Sequence, residues 1–300
     1  MPLAFRPLSH RRRAHRAARR VAPLPLATAL LILLGASVAL YPAAASWFSA
    51  LAHSRETDRY VETVAGLHPG QRDAELEAAE RYNTSLADGT RVVDPFSAVA
   101  EATVKTDDPY WTLLDPTGDG VLARISIPLL DLSLPAYHGT GADVLLEGIG
   151  HLQGTALPVG GAGTHSVLTG HRGLPQAEMF TRLDELEPGD AIEINGYADT
   201  LVYRVTGTVE VLPTDTGTLH PVAGRDLLSL VTCTPVGINT HRIIVTAERV
   251  LPAPAEAGVA VNAVGFPWWS VALLSVAAGC TGYVLRTRTA APSRINSGRR

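Results

Sequence analysis

Residues 230–242 read LVTCTPVGINTHR. An apolar run ends at Cys233, Pro235 and Gly237 interrupt it, and a second run, HRIIVTAERVL, begins at His241. Two runs rich in Val, Ile and Leu with turn formers between them predict neighbouring strands. If the strands are antiparallel, Cys233 at the end of the first and Arg242 at the start of the second face one pocket. Successive strand side chains point to opposite faces, so His241 then points away from Arg242.

The same texture extends outward from this pair. VLARISIP (121–128), HSVLTGH (165–171), AIEING (191–196), TLVYRVTGTVEVL (200–212), DLLSLVTC (226–233) and HRIIVTAERVL (241–251) all read as strands. Asn195-Gly196 is a hairpin signal between the third and fourth of them. Gly and Pro punctuate the whole region. Short strands with few helices predict a mainly β domain, a closed or sandwiched structure of about 140 residues. Upstream, residues 53–106 read as polar and helical. RDAELEAAERYNTSLADG (72–89) places Leu76, Ala79 and Tyr82 at helical spacing. This segment is too short to bury a sizeable core alone. There is no internal repeat.

Charge is strongly segregated. All 29 acidic residues lie between Glu56 and Glu256, whereas 12 of the 25 basic residues lie in the two ends, 1–20 and 286–300. An acidic middle repels phosphate and argues against a nucleic-acid partner. VAPLPLATALLILLGASVALY (21–41) and GFPWWSVALLSVAAGCTGYVL (265–285) are uncharged. As helices, each spans roughly 31 Å, about the hydrocarbon thickness of a bilayer. Trp268 and Trp269 suit a membrane interface, and the basic flanks place both termini in the cytoplasm. The expected plan is a basic tail (1–20), a transmembrane helix or signal anchor (21–41), an exported helical segment (42–109), a β domain (110–251), a linker (252–264), a second transmembrane helix (265–285) and a basic tail (286–300). Basic lead, apolar core and Ala43-Ala44-Ala45 also fit a cleavable signal peptide, which exports the middle equally.

Two cysteines make no disulfide framework, so Cys233 is expected to be a free thiol outside the cell. Three roles are open to it: nucleophile, metal ligand, or small buried apolar residue. A lone cysteine with His165-x5-His171 matches no zinc spacing, and no EF-hand-like loop occurs, so neither metal nor cofactor is implied. As nucleophile, Cys233 gains from the cation of Arg242, which favours the thiolate and stabilises an oxyanion. A histidine is then needed to move protons. His171, in LTGHRGLP at a strand end, is placed for that, with His138, His151, His165 and His241 as rivals by spacing alone.

LTGHRGLP followed some sixty residues later by LVTCTPVGINTHRIIV resembles the sortases, membrane-bound cysteine transpeptidases of Gram-positive bacteria. ARISIPLLDLSLPAYHGT, GIGHLQGTALPVGG and FTRLDELEPGD extend the likeness over about 110–250, with Ser229 a departure where the family often has Thr. The detail resembles class C, the pilin-polymerising sortases. The resemblance implies a closed sortase-type β-barrel of about eight strands, with Cys233 as nucleophile, His171 as proton donor and Arg242 as oxyanion partner. It also implies a lid, matched by Asp94-Pro95-Phe96, in which Asp94 pairs with Arg242 and Phe96 covers Cys233. Asp108-Pro109-Tyr110 has the same pattern and is a rival lid. The implied reaction cleaves an LPxTG-type sorting signal between Thr and Gly. It then joins the acyl group to a lysine of another pilin subunit at the membrane. Anchoring of surface proteins to the cell wall, or peptide hydrolysis by water, would use the same residues.

Overall fold

In the computed structural model, residues 23–86, 92–97, 100, 104–254, 257–258, 261 and 264–287 are described. The basic tail 1–20 and residues 288–300 of the other tail lie outside them. The described chain forms two compact units, one of residues 23–41 with 267–287 and one of residues 42–266.

In the first unit, helix α1 (Pro23–Gly66) contributes its opening turns, and the C-terminal helix (Trp268–Arg286) contributes the rest. Both helices are long and apolar enough to cross a membrane. Leu24, Leu31 and Leu274 are each more than two-thirds exposed, a surface that hydrocarbon accepts and water does not. Ala29 and Cys280 are buried, and the Cys280 thiol donates to the Ala29 carbonyl (3.7 Å). Helix α1 does not stop at Tyr41. It runs through Pro42 to Gly66. A proline costs a helix one hydrogen bond, and the helix-forming residues after it, such as the Ala, Leu and Glu of 50–56, sustain the helix past that loss.

The second unit is built on an eight-stranded closed barrel in the order β1-β2-β3-β4-β7-β8-β6-β5. The strands are β1 (Val121–Ile127), β2 (Leu132–His138), β3 (Ile149–His151), β4 (His165–Thr169), β5 (Ala191–Asn195), β6 (Leu201–Val211), β7 (Leu227–Thr234) and β8 (His241–Arg249). Six match the runs read from the sequence. The other two escaped that reading for physical reasons. Strand β2 carries Pro135, which normally demotes a strand. Strand β3 is three residues long and exists through parallel pairing with β2 and antiparallel pairing with β4. The β5–β6 hairpin closes between Ile194 and Leu201, so its connection is longer than the two-residue turn that Asn195-Gly196 suggests.

Inside the barrel, Ile125, Ile127, Leu168, Leu228, Leu230, Val245 and Ala247 form the main core. The helical lead supplies part of it. Tyr60 and Val64 of α1 and Ala79 of α2 (Pro69–Ser85) are buried there. Tyr60 Oη donates to the Leu122 carbonyl (2.5 Å), and Arg72 donates to the Tyr197 carbonyl. The helical lead is therefore part of the barrel's own core. Start of α2 is set by His68, whose Nδ1 accepts from Gly70 N while its own N–H donates to Gln71.

Asp108-Pro109-Tyr110 belongs to this packing. Asp108 caps a short 3₁₀ turn by accepting from Tyr110 N (2.9 Å). Tyr110 is fully buried, with its hydroxyl among Gly139 N, the His151 carbonyl and His151 Nδ1 (2.8–3.0 Å). It is a structural plug, not a cover over Cys233. His151 Nε2 donates to the Ala156 carbonyl (2.9 Å), which leaves Nδ1 to accept. Burial pushes the His151 pKa down to about 4, against the raising effect of that carbonyl.

A depressed histidine is neutral when folded and takes up a proton first when unfolded. Its stabilisation is complete above the unfolded value of about 6.5 and is lost as pH falls towards 4. The full span corresponds to about 3 kcal/mol. Urea unfolding between pH 7 and 4 should therefore be shallower in pH by about that amount for His151→Gln. Identical slopes for the two proteins would exclude the effect.

Candidate active site

The face of β4, β7 and β8 that turns outward from the barrel carries the candidate residues. Strand β7 pairs antiparallel with β8, and Cys233 stands directly opposite Arg242. Cross-strand partners share a face, so thiol and guanidinium lie side by side. His241 falls on the other face, half-exposed, with Nδ1 near Thr240 Oγ1 (3.0 Å) and 4.0 Å from Glu210. On its other edge β7 runs parallel to β4, from His165 beside Leu227 to Thr169 beside Val231. One step on, Gly170 N donates to the Val231 carbonyl (3.1 Å), and Thr232 Oγ1 donates to the Gly170 carbonyl (2.8 Å). The next residues along the two chains are His171 and Cys233, so the register brings them level.

The rival histidines are otherwise engaged. His138 Nδ1 bonds to the Gly120 carbonyl (3.0 Å), and His151 is held by Tyr110 and Ala156. His165 lies between the His220 carbonyl (3.0 Å) and Ser229 Oγ (2.8 Å). Alternation leaves Ser229 of β7 on the same face as Cys233, four residues away along the strand. The Ser229 hydroxyl there also meets Thr246 Oγ1 (3.2 Å). Ser229, the departure from the usual Thr, thus serves a buried polar network.

Residues 92–97 lie across this face. Pro95 begins a tight turn, closed by Ser97 N and Ser97 Oγ on the Asp94 carbonyl (3.0 and 2.6 Å). Asp94 receives the guanidinium fork of Arg242, from Nε at 2.8 Å and Nη2 at 2.9 Å. Arg242 Nη1 donates to the carbonyls of Asn239 and His241 (3.0 Å each). Asp94 and Arg242 are each only 8 % exposed, so this is a buried, bidentate ion pair. The Phe96 ring sits between two of the candidates: 5.8 Å from the His171 ring, and 5.2 Å from Arg242 Cζ. That places cation and ring in cation–π contact.

The thiol is held in its neutral form. Burial raises the Cys233 pKa, Arg242 pulls it down, and Asp94 pushes it back up. Burial also lowers the His171 pKa. At neutral pH the two groups rest as thiol and imidazole. The carboxylate that occupies Arg242 is also the one that weakens its effect on the thiol.

Sequence reasoning missed what else holds residues 92–97. Val92 packs with Leu152, Val167, Leu219, Val231 and Ile244 in a second apolar cluster. Its carbonyl accepts from Thr216 Oγ1 (2.9 Å). Val92, in the pair Val92-Val93 just before Asp94, carries no sequence signal of this role. Its partners come from five separate places in the chain.

A Sortase domain model matches residues 125–250. Sortase C-1 from Actinomyces oris is 45 % identical over 60 % of this chain and 98 % of that one, with a TM-score of 0.54. The chain belongs to the sortase family. Streptococcus pneumoniae sortase C, a structure described for its catalysis and pilin substrate specificity, is 33 % identical. The match covers 67 % of this chain and 99 % of that one, at a TM-score of 0.60. Among curated proteins, sortase A of Bacillus anthracis is 28 % identical over 57 % of this chain and 74 % of its own. The barrel described above is therefore the sortase fold, and the outward face of β4, β7 and β8 is this sortase's candidate site.

The charge arrangement has a direct consequence. Replacing Asp94 with Ala removes a group that raises the thiol pKa and leaves Arg242 acting on Cys233 alone. Alkylation of Cys233 by iodoacetamide at pH 7.5 should accelerate severalfold. An unchanged rate would show that residues 92–97 do not control the thiol.

Proposed function

We propose that this sortase is a membrane-anchored cysteine transpeptidase of the pilin-polymerising kind. The observation that carries this reading is the convergence of three chain segments on one face. Cys233 is opposite Arg242 across β7–β8, His171 is level with Cys233 at the end of the β4–β7 ladder, and Asp94 occupies the Arg242 fork.

In this reading the sorting signal enters as residues 92–97 move off. Arg242 exchanges the Asp94 carboxylate for the substrate and stabilises the oxyanion that forms. The Cys233 thiol gives its proton to His171, and the sulfur attacks the carbonyl of the Thr–Gly bond of an LPxTG-type signal. His171 delivers a proton to the departing glycine amine, and a thioester remains on Cys233. A lysine amine of another pilin subunit attacks that thioester. It gives up a proton to His171 and restores the thiol as the new isopeptide bond forms. Loss of Asp94 from Arg242 is the step that lets the thiol ionise, so Asp94, Pro95 and Phe96 act as a lid whose displacement precedes acylation.

The pilin partner is supported by the likeness to Streptococcus pneumoniae sortase C, described for its pilin substrate specificity. The bidentate Asp94–Arg242 pair favours this reading over cell-wall anchoring, because the class C resemblance includes such a lid. Two helices long and apolar enough to cross a membrane, flanked by basic ends, support a two-pass protein of the cell membrane. Both termini then lie in the cytoplasm and the barrel outside. Held there, the enzyme meets anchored substrates in two dimensions, where effective concentration is high.

The test uses the full chain in nanodiscs with a fluorogenic LPxTG peptide and a lysine-containing acceptor peptide. Cys233→Ala should abolish cleavage, and Arg242→Gln should lower kcat by about 10²–10³. Products should carry the acyl group on the lysine side chain. Cleavage by Cys233→Ala would overturn the nucleophile, and a free carboxylate as sole product would make the enzyme a hydrolase.

A further inference from the structure

The motif GHRG supplies His171, but its next residue makes the more extensive set of contacts. Arg172 is largely buried, with 12 % of its side chain exposed. Its Nη1 donates to Thr234 Oγ1 (3.0 Å), its Nε to the Thr181 carbonyl (3.1 Å), and its Nη2 to Asp184 (2.7 Å). Thr234 is the residue after Cys233. Arg172 therefore ties the residue after the candidate histidine to the residue after the candidate nucleophile.

This tie continues a register. The parallel pairing of β4 on β7 joins residues 62 apart in sequence, and Thr169 Oγ1 donates to the Val231 carbonyl (3.0 Å) in that register. Thr232 Oγ1 to the Gly170 carbonyl has the same separation, and so does Arg172 to Thr234. Backbone pairing ends at Thr169. Beyond it, one further backbone bond, Gly170 N to the Val231 carbonyl, and then the Thr232 and Arg172 side chains hold the two strand ends in line. The Thr232–Gly170 bond lies on one side of the His171–Cys233 level and the Arg172–Thr234 bond on the other.

The surrounding loop is arranged to aim this arginine. Phe180 N donates to the His171 carbonyl and Gly173 N to Thr181 Oγ1 (3.0 Å each). Gly173 has φ +76, and a Cβ there would come within 2.4 Å of Val236. The loop thus presses against the β7–β8 connection. A planar guanidinium with several fixed donors can hold three acceptors at once. A lysine cannot.

We infer that Arg172 is a positioning residue: by clamping Thr234 it sets the separation of His171 from Cys233. The inference rests on the transpeptidase reading. In that reaction the histidine must reach both the leaving amine and the sulfur, and a displacement of about 1 Å can cost 10²-fold in rate. Arg172 itself touches no reacting atom.

The experiment compares Arg172→Met, Arg172→Lys, Thr234→Val and the Arg172→Met/Thr234→Val double variant of the full chain in nanodiscs. All carry Asp94→Ala so that lid displacement does not limit turnover, and the probe is the fluorogenic LPxTG peptide. Arg172→Met and Thr234→Val should each lower kcat by about 10- to 100-fold with KM within about twofold. The double variant should be no slower than Arg172→Met alone, because both remove one contact. Arg172→Lys should recover part of the loss. Alkylation of Cys233 by iodoacetamide should stay within about twofold in all four, since the thiol's own electrostatics are untouched. A merely structural arginine would give additive losses, or a fall in alkylation parallel to the fall in kcat. Either result, or a kcat for Thr234→Val within twofold of its parent, overturns the inference. Thr234→Val removes only a hydroxyl, so it decides the matter even if Arg172→Met fails to fold. Activity surviving in Cys233→Ala would instead remove the underlying reading of the site.

Discussion

Strand β7 is hydrogen-bonded on both edges, parallel to β4 and antiparallel to β8, and everything at the site depends on those two registers. The antiparallel register sets Cys233 against Arg242. The parallel register sets the end of β4, and so His171, level with Cys233. A slip of one residue on either edge would turn a candidate side chain to the other face. The barrel guards against that slip. Leu228, Leu230, Val245 and Ala247 fill its interior while Val231 and Ile244 pack on the outer face. Strands buried on both faces have no solvent side on which a misregistered side chain could sit.

Residues 92–97 compete for this prepared surface. Their hold has an electrostatic part, the Asp94–Arg242 fork, and an apolar part, Val92 in its cluster and Phe96 between His171 and Arg242. The two parts act differently. The ion pair is buried, so breaking it without a replacement leaves an uncompensated charge. Under the proposed function, a substrate would offer Arg242 a new acceptor in the same event that displaces Asp94. The apolar part only needs another apolar group to cover Val167, Val231 and Ile244. In that proposal, opening and substrate entry are two descriptions of one exchange.

Much of the fold was legible because its strands alternate and its turns carry Gly and Pro. β1, β4, β5, β6, β7 and β8 follow from pattern alone. Strand β2 did not, since Pro135 argues against a strand unless a neighbour accommodates it. Nor did β3, whose three residues have no local signature. Helix α1 continues past the uncharged stretch that ends at Tyr41, because tolerance of Pro42 depends on the residues that follow. The rival motif at Asp108-Pro109-Tyr110 has the same local chemistry as Asp94-Pro95-Phe96. Only packing separates them: Tyr110 is anchored beneath His151, and Phe96 lies on the face of Cys233.

By itself the sequence determined which chemistry was available: one cysteine outside the apolar ends, an arginine nine residues later on the opposite side of a turn, and apolar helices to anchor them. Those facts are local, because alternation, turn formers and hydrophobic length act over a few residues. Tertiary structure decided which histidine-bearing strand end is aligned with the cysteine strand, and what covers the arginine. Those choices join residues 62 and 148 positions apart. No local preference spans such distances, and only closure of the barrel brings the segments within hydrogen-bond reach.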